Sequence, residues 1–206
     1  MSVDDLPRTR KPRGEYKKSK QTRLRILDAG LAVFSENGYR SGSLREIAEL
    51  VAMSEAGLLH HFPGKSALLA ALLDHRDNLS RERVNLDAED GLDTLRGLVD
   101  LARHNATTPG VVELYCTLSA EATTADHPAH QYFVDRYTAV RDGIWQAFTR
   151  IEKLGLLRPG VDPRRAAIKS IALWDGLQIQ WLLDRDVLDM GDELHEYFQS
   201  LVTVPL

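Results

Sequence analysis

The chain is 206 residues long, with 43% hydrophobic and 27% charged residues, which fits a globular fold of one large domain or two small ones. No apolar run approaches the roughly 18 residues of a membrane helix, and the polar, basic N-terminus lacks the apolar stretch of a secretory leader, so no membrane partner is expected. Cys116 is the only cysteine, so no internal disulfide can form, as fits a reducing cytoplasm.

The net charge of −4 is unevenly spread. Residues 1–65 carry 12 Lys and Arg against 8 Asp and Glu, residues 66–206 carry 14 against 22, and residues 1–25 alone carry 9 against 3. A basic end on an acidic body points to a polyanion as partner of the N-terminal part, against the plainer reading of a solvated tail.

Residues 1–21 read as a basic flexible tail, because Pro7, Pro12 and Gly14 interrupt a stretch with little apolar content. The helical period begins at Thr22, a candidate cap, with Leu24, Leu27, Leu31 and Phe34 on one stripe and Gly38 at the C-terminal end. Ser43-Leu44-Arg45-Glu46 is a capping box that starts a second helix, with Leu44, Ile47, Ala48 and Val51 facing inward. Ser54 caps a third, with Leu58, Leu59 and Phe62 as its candidate buried residues, and Pro63-Gly64 breaks it. A fourth runs from Ser66 to about Asp77. Longer helices are predicted near 91–106, 110–123, 129–154, 163–185 and 191–203; Asp162-Pro163 is a cap followed by a first-turn proline. No strand run stands out, so the fold class is all-α.

The two short helices flanking Val51-Ala52-Met53 have the lengths and separation of a helix-turn-helix, in which the second helix enters the major groove. Taken alone, such a pair is often a plain α-hairpin. Residues 22–75 resemble the N-terminal domain of the TetR family of bacterial transcriptional regulators. The likeness rests on Thr22, Ile26-Leu27, Ala32 with Phe34, Asn37-Gly38-Tyr39, Ser43 to Ala48, Ser54 with Gly57, His60-His61-Phe62, Lys65 and Leu68-Leu69. Asp175-Gly176-Leu177 adds to it late in the chain.

The resemblance implies a ligand-responsive repressor that binds a palindromic operator in double-stranded DNA as a homodimer and is released by a small-molecule effector. It implies a helix-turn-helix domain over 22–66 and an effector-binding and dimerisation domain over 67–206. It also implies a cytoplasmic, nucleoid-associated protein with no cofactor. Three positions depart from the family pattern: Ala52 stands at the turn glycine, Glu55 where many members carry a basic or small polar residue, and Leu59 where a phosphate-binding tyrosine is common.

The candidate DNA contacts follow. Thr22, Ser43, Arg45 and Lys65, with the tail and Leu44 beside them, are expected at phosphates. Ser54, Glu55, Ala56, Gly57, Leu59, His60 and His61 are expected at base edges. Glu55 suits the first turn of a helix and is also able to accept from cytosine N4.

Gly64-Lys65-Ser66 imitates a phosphate-binding loop, but Leu59 stands where that motif needs glycine. His127 and His130, near Glu121 and Asp126, are separated by Pro128 and read as surface residues rather than a metal site. No catalytic motif appears, so no enzyme is expected.

Residues 163–185 are apolar nearly all round, which buries a helix on several sides. Its stripes are Ile171-Trp174-Gln178-Trp181, Ile168-Ala172-Asp175-Ile179-Leu182 and Leu173-Leu177-Gln180. With the family resemblance, it is expected between an effector pocket and a partner subunit. The pocket candidates are His104, Glu113, Tyr115, Cys116, Phe133, Tyr137, Trp145, Trp174, Gln178 and Trp181. The interface candidates are Ile168, Ala172, Asp175, Gly176, Ile179, Leu194, Phe198 and Leu201. The competing reading is a small-molecule-binding or enzymatic helical bundle whose N-terminal part is only scaffold.

Overall fold

The computed structural model describes residues 13–206. Among these it forms nine helices: α1 (Arg13–Ser41), α2 (Leu44–Leu50), α3 (Glu55–His61), α4 (Lys65–Arg81), α5 (Leu92–Ala106), α6 (Pro109–Glu121), α7 (His130–Lys153), α8 (Pro163–Leu183) and α9 (Met190–Leu201). The described residues contain no strand, only an isolated antiparallel bridge between Leu157 and Val202.

The disorder predicted for residues 1–12 lies outside the described residues. From residue 13 the prediction is corrected, because α1 begins nine residues before Thr22. Lys17, Lys18, Lys20 and Gln21 are good helix formers, and propensity carries the helix outward where no apolar stripe exists. Thr22 is therefore interior rather than a cap, and its hydroxyl donates to the Lys18 carbonyl at 3.0 Å. Gly38 interrupts α1 with φ 75° and ψ 161°, not the left-handed helical cap expected of it but an extended positive-φ conformation open essentially to glycine alone.

The side chains pack into two cores. The first joins Ile26, Val33 and Phe34 of α1 with Ile47, Ala48, Leu58 and Phe62, and runs on into Leu68, Leu69, Leu72 and Leu73 of α4. It also takes in Leu114, Tyr115 and Leu118 of α6 and Phe133 of α7. The predicted stripe of α1 is shifted, since Leu24 is exposed and Ile26 is buried. The second core joins α5, α7, α8 and α9 through Leu95, Val99, Ile144, Phe148, Ala167, Leu177, Leu194 and Phe198. Gly91, at φ 72°, starts α5 close against Ala147 of α7, where a side chain has no room. Because α6 packs on α1 as well as α8, the N-terminal helices are seated on the larger body.

Candidate DNA-reading unit and inner cavity

The N-terminal unit is built by caps. Ser43 Oγ accepts from Glu46 N, and Ser54 Oγ from Gly57 N, both at 3.1 Å. The Glu46 carboxylate, expected to reach back within a capping box, is engaged by Asn37 Nδ2 at 3.0 Å. Between α2 and α3, Met53 N donates to Ala48 O at 3.0 Å and Ala52 N to Glu49 O at 3.1 Å, the two bonds of a Schellman ending. Ala52 occupies its left-handed position with φ 55°. Alanine there costs on the order of 1 kcal/mol against glycine.

Three cations close helix ends in this unit. Arg25 Nη2 donates to Val51 O at 3.2 Å after α2. Arg23 Nη1 donates to His61 O at 2.6 Å in α3 and stacks over Phe62, 4.1 Å from the ring centroid. Lys65 Nζ donates to Arg40 O at 2.9 Å near the end of α1 and lies 4.8 Å from the Tyr39 ring centroid. Cations favour helix C-termini because the carbonyls there are unpaired and the dipole is negative. In this structure one Lys65 donor is used on a protein carbonyl, and burial pulls its pKa down, while the ammonium keeps two further donors.

The result is a short helix with a free face. Leu58 is the one buried residue of α3, while Ser54, Glu55, Ala56, Leu59 and His60 are exposed. Leu59, expected to be buried, is 39% exposed, because Leu58 and Phe62 already fill the core side. Arg45 pairs with Glu49 on the surface at 3.0 Å. His61 is half-buried, and burial, then His60 and Arg23, holds its pKa below 6.5.

Deep in the body lies a buried polar cluster. Asp77 of α4 accepts from Tyr115 Oη at 3.2 Å, Tyr132 Oη at 2.7 Å and Arg136 Nε at 3.0 Å. The Tyr115 and Tyr132 hydroxyls also meet each other, and with one proton apiece one of them shares its donor between its neighbour and Asp77. The guanidinium of Arg76 stacks on the Tyr115 ring at 4.1 Å, with that of Arg136 at 4.8 Å. Burial pushes the Tyr115 hydroxyl up to about 12 and raises Tyr132 further still.

Two cavities meet beside this cluster. A chamber of about 90 Å³ is lined by Arg76, Tyr115, Cys116, Tyr137 and Gln178, with Arg136, Trp174 and Asp175 on the wall it shares with the second. The second, about 100 Å³, is largely apolar, with Val84, Leu98, Leu101, Ile144, Ile171 and Phe198. Asp175 accepts from Tyr137 Oη at 2.9 Å, and burial raises its pKa. Cys116 is pushed up to about 11 by burial and then by Asp175.

With this geometry established, the sequence matches decide the family. Residues 26–72 match the model "Bacterial regulatory proteins, tetR family", and residues 92–201 match "BetI-type transcriptional repressor, C-terminal". The chain belongs to the TetR family. It is a helix-turn-helix transcriptional repressor, and the homologues of this TetR-family chain are regulators, not enzymes.

Among curated relatives, the HTH-type transcriptional regulator TtgR of Pseudomonas putida is 27% identical over 201 residues, covering 88% of this chain and 90% of its own. Among solved structures, NalD of Pseudomonas aeruginosa, described as the secondary repressor of the MexAB-OprM multidrug efflux pump, is 28% identical with a TM-score of 0.64. That match covers 90% of this chain and 98% of NalD. A regulator from Saccharomonospora viridis, solved with choline, shares the fold at 24% identity and TM-score 0.76, over 90% of this chain and all of its own.

Five pocket candidates converge in this TetR-family chain: Tyr115, Cys116, Tyr137, Trp174 and Gln178 all line the polar chamber. Five do not. His104 lies in a separate groove beside α4 and α5, Glu113 and Trp145 are exposed, and Phe133 and Trp181 are buried in the two cores. An aromatic on an apolar face is more often core than wall, and exposure follows the helix turn rather than residue type.

Among the interface candidates, Leu194 and Phe198 are corrected, since each is 1% exposed and fills the protomer's own core. Asp175, also expected at the interface, faces the chambers and Tyr137. Leu201 is partly buried against the second core. Ile168, Ala172 and Ile179 are exposed along α8, and nothing lies within 4 Å of where a Gly176 side chain would project.

The sequence reading missed Arg76, Asp77, Tyr132 and Arg136. The signal was present: Arg76 and Asp77 continue the buried stripe of Leu68, Leu69, Leu72 and Leu73, so charged residues fall where apolar ones are due. His127 and His130 hydrogen-bond to nearby backbone, His127 through Ala129 N and His130 through Ala122 O. Among the described residues no three potential ligands gather for a metal.

Proposed function

We propose that two copies of this chain bind the halves of a palindromic operator in double-stranded DNA and that a small molecule in the inner chambers releases them. In this reading residues 22–66 form the reading unit and residues 67–206 the sensing and dimerising body. It would act in the cytoplasm, at the nucleoid. The observation that carries it is the free face of α3, with Ser54, Glu55, Ala56, Leu59 and His60 exposed and only Leu58 buried.

On this reading, Ser54 to His61 meet base edges. Thr22, Ser43, Arg45 and the basic N-terminal segment meet phosphates, because phosphate contacts position and base contacts specify. Arg45 is available for this: its surface pair with Glu49 is the kind that contributes little. Glu55 would accept from a cytosine, so Glu55→Ala should relax preference at one base pair.

The dimer would form along α8, where Ile168, Ala172, Gly176, Ile179 and Leu183 lie at helical spacing on one side and Ile168, Ile179 and Leu183 are 49%, 52% and 83% exposed. Both TtgR and NalD are similar to this chain over most of its length.

The test is binding to the DNA upstream of the protein's own gene across a salt series. Phosphate anchoring gives log K falling linearly with log salt. A flat plot rejects it, and absence of any selected palindrome from a random pool rejects the function.

A further inference from the structure

Resting on that effector reading, we infer that the effector is a small amphipathic anion, whose carboxylate is held by Arg76 and Arg136 and whose apolar body fills the neighbouring chamber. The decisive feature is Arg76. It is 6% exposed and lines the polar chamber. Among the described residues its guanidinium makes no hydrogen bond, and Asp77 Oδ1, the carboxylate oxygen paired with it, is 3.8 Å away.

That oxygen already accepts from Tyr115 and Arg136, and the other oxygen of Asp77 accepts from Tyr132. Asp77 is thus spent on other donors. Arg136 is engaged only through Nε, which leaves its two terminal nitrogens for a ligand. A guanidinium stays charged in a protein, and Arg76 turns its donors to the chamber rather than to a protein acceptor. A carboxylate matches its fork of donors in two parallel bonds.

The remaining walls set the shape. Tyr115 is already covered by the two guanidiniums, so the anion approaches them from the Cys116 and Gln178 side. Trp174, Arg136 and Asp175 are common to both chambers, so one molecule can span them. Beyond that wall Leu98, Leu101, Ile144 and Ile171 accept an aryl or alkyl group. At about 90 and 100 Å³, the chambers suit a compact molecule. Two acids line the chambers: Asp77 is engaged by Tyr115, Tyr132 and Arg136, and one oxygen of Asp175 accepts from the Tyr137 hydroxyl. A quaternary ammonium such as choline carries the wrong charge for two guanidiniums.

The test pairs small aryl and alkyl carboxylates with their primary amides, alongside choline and a general library of neutral compounds. Binding to the full-length protein is followed by calorimetry, and release from selected operator DNA by fluorescence anisotropy. The inference expects at least one acid to bind and release DNA, and its amide to bind about 10- to 100-fold more weakly, as loss of charge-assisted bonds dictates. In Arg76→Gln, checked for a single cooperative melt, the acid should weaken by a similar factor while the amide changes little.

Amides or choline binding as well as acids, or Arg76→Gln retaining full affinity for the acid, overturns the inference and leaves the effector reading standing. No compound of any class binding or releasing DNA overturns both. If Arg76→Gln does not fold, the acid and amide comparison on the unaltered protein decides alone.

Discussion

In the N-terminal unit Arg23 and Lys65 lie near the surface, and each ends on a carbonyl of a helix's last turn, whereas in the body the buried Arg76 and the half-buried Arg136 gather around a single carboxylate. The first arrangement leaves the charges at least partly hydrated and shares the load over several modest bonds. The second removes charges from water and makes each partner indispensable. A reading head must expose its polar face to a polyanion, so its scaffold is held from behind. In the body, the charges line a cavity instead, with Arg76 left without a protein acceptor.

The sharpest way to break the comparison is Asp77→Ala. It strips Arg136, Tyr115 and Tyr132 of their acceptor and should lower unfolding stability by about 3–5 kcal/mol in urea titration. Arg23→Ala removes one bond to His61 O and the stack on Phe62, and should cost about 1 kcal/mol while weakening operator affinity several-fold as α3 loosens. Equal losses from the two variants would erase the distinction drawn between the regions.

Ala52→Gly tests the scaffold from the other side. It relieves a left-handed alanine, so thermal unfolding should show a gain of about 0.5–1 kcal/mol; a loss would mean that Ala52 packs usefully.

The smallest effect is in pH. His61 and His104 both have pKa values below 6.5 in the folded chain because burial disfavours the imidazolium, with neighbouring arginines adding to it. As pH falls through 6.5 the unfolded chain takes up protons first, so stability declines on acidification and levels off only below the folded-state values. His61→Gln should flatten part of that slope in melts between neutral and mildly acidic pH, without moving the neutral plateau.

Helix order and ends were legible because periodicity and caps are local: Ser43, Ser54 and Asp162 each accept the backbone bond expected of them. The start of α1 was not, because propensity alone extends it and no apolar stripe marks it. The cavity was half legible. Tyr115, Cys116, Tyr137, Trp174 and Gln178 stood out as polar or aromatic residues on apolar faces. Arg76, Asp77 and Arg136 did not, because a charge in sequence reads as surface until its partners are known, and those lie 38 to 59 residues away. Leu194 and Phe198 show the converse: an apolar stripe says that something covers it, not whether the cover is the same chain.

Those separations also bear on how the molecule is made. Asp77 emerges from the ribosome well before Tyr115, Tyr132 and Arg136, which reach it across 38, 55 and 59 residues. Closing such distances is slow compared with forming helices. The caps of α2 and α3 assemble from neighbouring sequence, whereas the core behind them is completed only when Leu114, Leu118 and Phe133 arrive. Burial of Arg76 and Asp77 is a late event in synthesis. Until it happens, the growing chain carries the capped helices of its N-terminal unit without the polar cluster that later closes around Asp77.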